Sequence, residues 1–136
     1  MLYLLDTNTC IDVMRNHPNV VMHMSAIPPG DCVISTITSY ELHTGIAKCA
    51  SPKSERAKVD LFLKTVIELS FDQTGTREAG RIRGLLESQG RMIGPYDILL
   101  AAHALAANLT LVTANTKEFQ RVPGLAVENW QVGASA

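Results

Sequence analysis

The chain has 136 residues, a size that buries about two thirds of its unfolded surface in one domain without staples. With 46% hydrophobic and 18% charged residues it is not an intrinsically disordered chain, and its longest apolar stretch, residues 98–107 interrupted by His103, is too short for a membrane span. The net charge of −1 argues against a nucleic-acid binder, but with Asp6, Glu41 and Asp97 set aside 12 basic residues face 10 acidic ones, a surface of +2.

The chain opens on an apolar run, Leu2 to Leu5, followed abruptly by Asp6-Thr7-Asn8. The run is too short for a buried helix, so it predicts a buried strand with a carboxylate at its C-terminal tip. These first residues carry no basic segment and no small-residue cleavage site, which predicts a cytoplasmic protein rather than a secreted one. Thr7 or Asn8 can cap a short helix to about Arg15, with Cys10, Ile11 and Met14 facing the sheet, and Pro18 starts a second helix that Pro28-Pro29-Gly30 ends. A strand over 31–34 follows. Thr38-x-x-Glu41 matches a capping box for a third helix, which runs to about Ala50. Ser51-Pro52 begins a fourth helix, residues 67–71 read as a strand, and Thr74 to Gln89 form a helix weakened by Gly80 and Gly84 and closed by Gly90. Pro95 opens the most hydrophobic helix, running from Asp97 to Asn108, which must be central because it is apolar nearly all round. A strand over 109–113 and a short one at Ala126-Val127 complete the set. The three cysteines, Cys10, Cys32 and Cys49, lie too far apart for a CxxC motif and read as small hydrophobes in a reducing compartment. The basic clusters at 48–58 and 77–91 read as solvated helix faces.

Alternating strands and helices predict an α/β fold, a three-layer α/β/α sandwich around a mainly parallel sheet, in a single domain over residues 1–136. The right-handed crossover rule then puts the strand tips on one edge. Asp6 at a strand tip, Glu41 in the turn entering a helix, Asp97 in the first turn of the central helix, Asn115 at another strand tip and Glu118 three residues later should converge there. Each also has an ordinary structural role open to it: Asp6 as a helix cap, Glu41 as capping-box partner of Thr38, Asp97 as a charge favouring a helix N-terminus, and Glu118 as a surface charge. His103 reads as a satisfied core residue, and His17, His23 and His43 lack metal spacing. Oxygen ligands without His or Cys point to Mg²⁺ or Mn²⁺ rather than zinc.

Four segments, Leu4-Leu-Asp6-Thr-Asn8, Ser35-Thr-Ile-Thr-Ser-Tyr-Glu41-Leu-x-x-Gly45, Gly94-Pro-Tyr-Asp97-x-x-x-Ala101-Ala-His103-Ala and Leu111-Val-Thr113-x-Asn115-x-x-Glu118-Phe119-x-x-Val-Pro-Gly124, together closely resemble the PIN-domain ribonucleases, specifically the VapC toxins of bacterial toxin–antitoxin pairs. The resemblance runs from end to end, in order and at the right spacing. It implies that Asp6, Glu41 and Asp97 bind metal, with Glu118 a further candidate, that Asn115 stands where the family often has Asp, and that Asn8 and Thr113 support the site. Asn115 can offer an oxygen or hold a water, while Glu118 can supply the missing charge.

The resemblance further implies an Mg²⁺-dependent endoribonuclease (Mn²⁺ serving as an alternative) that cuts structured RNA, commonly a tRNA, and leaves 5′-phosphate and 3′-hydroxyl ends. The Gly94-Pro-Tyr-Asp97 segment looks like that of enteric members that cut initiator tRNA in the anticodon loop. A homodimer and a VapB antitoxin, its C-terminal segment lying in the groove beside the site, are implied as well. Two other readings stand beside this one. A haloacid-dehalogenase-type phosphatase needs a second Asp two residues after the first, where this chain has Asn8. A catalytically silent relative that binds antitoxin or RNA is motivated by Asn115.

Overall fold

The computed structural model describes residues 1–133. Successive side chains of a strand point to opposite faces, and the first strand, β1 (Tyr3–Leu5), separates two cores in this way. Leu4 packs with Val33 and Leu111 on one face of the sheet, Leu5 with Ile34 and Val112 on the other. The remaining strands are β2 (Cys32–Ser35), β3 (Ile67–Leu69), β4 (Thr110–Val112) and β5 (Val127–Glu128). Their order is β3-β2-β1-β4-β5 and every neighbouring pair is parallel. Both faces are covered, as an all-parallel sheet requires.

The Leu5 face is covered by α1 (Thr7–Met14), α2 (Pro18–Ser25), α3 (Thr36–Lys48) and α4 (Pro52–Leu63), which contribute Cys10, Val20, Leu42, Ile46, Val59 and Phe62, with Trp130 closing the same core. The Leu4 face is covered by α5 (Gln73–Ser88), α6 (Pro95–Ala106) and the one-turn α7 (Thr116–Phe119). Ile98 and residues 100–104 of α6 are all buried, the central place expected from their composition. No helix among the described residues is long and apolar enough to cross a membrane.

Several boundaries differ from the sequence pattern for identifiable reasons. The α3 cap is Ser35, whose Oγ accepts a 3.0 Å hydrogen bond from the Ile37 amide, so Thr38 lies inside the helix and the expected capping box with Glu41 is absent. The α6 helix ends before Asn108, which adopts φ +56° while the Leu109 amide donates back to the Ala104 carbonyl at 2.8 Å. Asn16 ends α1 in the same left-handed conformation, as Gly90 does after α5. The turn after β4 continues into α7, which the pattern does not announce, and β5 sits one residue later than expected. His103 is buried edge-on to Phe71, with ring centroids 5.5 Å apart, but its Nδ1 has no hydrogen-bond partner among the described residues. It is a core residue, not a satisfied one, and burial pushes its pKa down so that the neutral ring is favoured.

Candidate active site

Asp6 leaves β1 with its amide bonded to the Val112 carbonyl at 3.0 Å, so the β1–β4 pairing fixes its backbone. It is also the N-cap of α1: Oδ1 accepts from the Thr9 amide at 2.8 Å. The carboxyl is buried, and that burial pushes its pKa up while hydrogen bonds from Thr9 and Thr113 pull it back down. Capping and site placement are therefore one arrangement here rather than alternatives.

With Asp6 as the cap, Thr7 becomes the first helical residue. Its hydroxyl donates to Glu41 Oε1 at 2.7 Å and lies 3.3 Å from the Thr38 hydroxyl, joining the start of α1 to α3. Glu41 stands one and a half turns into α3, its carboxylate held by Thr7 and not by its own helix end. On the other side Asp97 occupies the first turn of α6, where Gly94 caps the helix without a side chain. A Cβ added at Gly94 would lie 3.2 Å from Asp97 Oδ2, a tight contact that the carboxylate would relieve by shifting a few tenths of an ångström.

The Asp97 pKa is pushed up to about 7, first by burial, then by the neighbouring Glu118 carboxylate, with Asp6 and Glu41 adding to the effect. Four acidic side chains drawn from residues 6 to 118 thus act on one another at the sheet edge. Glu118 is part of this group and not an ordinary surface charge: its Oε1 accepts from the Gly94 amide at 3.0 Å, and its other oxygen accepts from the Asn115 side-chain amide. The Asn115 backbone amide in turn donates to the buried Thr113 hydroxyl at 3.0 Å. Asn8 is exposed on α1, and no side-chain hydrogen bond ties it to these groups among the described residues.

The sequence offers Thr7 and Thr38 only as helix caps and Thr9 not at all, so their roles beside the carboxylates emerge from the structure. The hydroxyl-rich run 35–39 was the available signal for Thr38, and the Asp6-x-x-Thr9 spacing for the cap. None of the carboxylates lines the ≈ 280 Å³ cleft between α1 and α4 or the ≈ 530 Å³ cleft between α5 and α6, although Pro95 and Ile98 of the second flank Asp97 in sequence. An open acidic edge suits a polymer backbone better than an enclosed small molecule.

Residues 3–125 match the family model described as the PIN domain. The chain belongs to the PIN-domain family. Among its relatives it is 38% identical to ribonuclease VapC2 of Rickettsia felis over 96% of this chain and 98% of that protein. It is equally 38% identical to the tRNA(fMet)-specific endonuclease VapC of Shigella flexneri, over 94% of this chain and 97% of that one. The crystal structure of VapBC2 from Rickettsia felis, bound to a DNA fragment from its promoter, superposes with a TM-score of 0.90 at 36% identity, covering 96% of this chain and 99% of that one. The fold is thus shared with VapC proteins along nearly the whole chain.

Proposed function

We propose that this PIN-domain protein is the toxin of a toxin–antitoxin pair, a divalent-cation-dependent endoribonuclease that cuts structured RNA to 5′-phosphate and 3′-hydroxyl ends. The single observation that carries the reading is the convergence of acidic groups from distant parts of the chain at the sheet edge, where burial and the neighbouring Glu118, Asp6 and Glu41 raise Asp97 to about 7. No lysine or arginine pairs with these carboxylates among the described residues, so the charge they would carry when ionised calls for a cation.

The donors fit Mg²⁺ or Mn²⁺ in one respect and limit the fit in another. They are hard oxygens, but no group of three His, Cys, Asp or Glu side chains among the described residues forms a ready-made cage. Mg²⁺ keeps several waters and takes one or two carboxylates, so Asp6 and Asp97 would hold it, with Glu41 and Glu118 within electrostatic reach. When bound, the ion supplies charge neutralisation at the phosphate and acidifies a water for in-line attack. The chain's own part is positioning. The Thr9 cap and the Thr113 hydroxyl orient Asp6, Thr7 orients Glu41, and Glu118 secures the Gly94 turn that presents Asp97. Asn115 donates to Glu118, which lowers the repulsion a carboxylate would meet at that position.

The named tRNA specificity of the Shigella relative supports initiator tRNA as the substrate, and the solved VapBC assemblies support a VapB-type antitoxin as partner. Induction of wild type and Asp6→Asn in bacteria, with the 5′ ends of cellular RNA mapped in both, tests the reading. Growth arrest with wild type alone, and new 5′-phosphate ends gathered at one or two RNAs, is the expected result. If neither protein cuts RNA, the edge is a binding surface without catalysis. Cutting with initiator tRNA left intact removes only the substrate assignment.

A further inference from the structure

Aromatic residues are scarce in this chain, and most have gone inward. Phe62, Phe119 and Trp130 are buried, and Tyr3 packs edge-on to Trp130. Tyr40 and Tyr96 are the exposed aromatic residues among those described, with 53% and 43% of their surface open. They come from different helices, α3 and α6, yet meet with ring centroids 5.7 Å apart and hydroxyls 3.1 Å apart. Each directly precedes an acidic residue of the site, Glu41 or Asp97.

We propose that the Tyr40–Tyr96 pair is a stacking platform for an unpaired base of the RNA substrate next to the scissile phosphate; this rests on the nuclease reading above. Beside carboxylates that repel a phosphate wherever no cation intervenes, two rings half open to solvent favour a neutral group. They can hold a neutral flat group. Proteins that act on RNA loops stack splayed bases on aromatic side chains, an interaction that tolerates any base because each has a π-face. The ring contact, with centroids 5.7 Å apart, places the platform on the same two helices that present Glu41 and Asp97.

The test uses a stem-loop RNA carrying 2-aminopurine at successive loop positions, bound by the Asp97→Asn protein so that no cutting intervenes. Binding should quench the probe at one or two adjacent positions. In the same background Tyr40→Leu with Tyr96→Leu should weaken binding roughly tenfold and abolish the quench, whereas Tyr40→Phe with Tyr96→Phe should retain both. With Asp97 restored, the leucine pair should raise KM by a similar factor and leave kcat within about twofold. Circular dichroism checks the fold, and the single Tyr40→Leu variant carries the same readings if the pair does not fold. The platform is overturned if the leucine pair binds and quenches like wild type, which would leave the rings to a protein partner, or if the phenylalanine pair fails as the leucine pair does, which would make the hydroxyl contact a strut. A wild type that cuts no RNA instead removes the nuclease reading and the platform with it.

Discussion

The Thr7 hydroxyl donates to the Glu41 carboxylate at 2.7 Å, and through that contact the first residue of α1 sets a side chain thirty-four positions away. Thr7 acts on the reaction only through Glu41, so it is a positioning residue. Thr7→Val keeps the shape and removes the donor. We expect kcat to fall about tenfold while KM stays nearly constant, with stability reduced by about 1.5–3 kcal/mol for the lost hydrogen bond to a charged group. Thr7→Ser should restore the rate. A valine variant that cuts as fast as wild type would show that Glu41 needs no support from α1.

Asp97 links the acidic edge to stability. Its carboxyl has a pKa near 7 in the folded protein against 3.8 in an ordinary setting, so between these values the folded state binds more protons than the unfolded one. Stability without metal therefore falls as the pH rises from about 4 to about 7, and levels off above that. Asp97→Asn removes the effect. In EDTA the variant should match wild type near pH 4 and exceed it at pH 8 by roughly 1–2 kcal/mol, the reduced figure reflecting a half-exposed group. Mg²⁺ at pH 8 should raise the melting temperature of wild type more than that of the variant. Parallel melting curves for the two proteins across this pH range would show that the carboxyl group titrates normally.

Much of this site is legible in the sequence because strand tips can be read from apolar runs ending in polar residues. Leu4-Leu5-Asp6 and Val112-Thr113-x-Asn115 announce two of them, and parallel topology brings them to one edge. The supporting bonds are not legible, because they join residues with no sequence relation. Nothing in the pattern ties Thr7 to Glu41, or Glu118 to the Gly94 amide. The capping box at Thr38 misleads for a local reason: Ser35 three residues earlier is an equally good cap and lies at the strand end, where the chain first turns. The left-handed turns at Asn16 and Asn108, just past helix ends that the pattern places within two residues, are not announced because asparagine enters that region less often than the glycine that marks α5.

Asn115 stands between Thr113 and Glu118, with its backbone amide bonded to the first and its side-chain amide donating to the second. Asn115→Asp replaces the donor by a second carboxylate facing Glu118. Without metal at pH 8 we expect this variant to be less stable than wild type by about 1–3 kcal/mol, the cost of a lost hydrogen bond and a like-charge contact. Added Mg²⁺ should recover most of the loss, because a cation relieves the repulsion and stabilises the state that binds it. A deficit that persists at saturating Mg²⁺ would place the introduced carboxylate outside the reach of the ion.

Two glycines separate site geometry from helix stability. Gly94 has φ −56° and ψ 149°, values alanine adopts freely, so Gly94→Ala strains no backbone. Its new Cβ, however, would lie 3.2 Å from Asp97 Oδ2 and push that carboxylate aside. Gly84 sits within α5 with nothing within 4 Å of an added Cβ, and Gly84→Ala removes only the entropic cost of glycine in a helix. Gly94→Ala should therefore cut RNA about tenfold more slowly with little change in melting temperature, since a small misplacement at a reacting centre has a large effect on rate. Gly84→Ala should gain about 0.8–1.0 kcal/mol, melt a few degrees higher and cut at the wild-type rate. If the two variants changed rate and stability in step, the loss at Gly94 would reflect the fold and not the placement of Asp97.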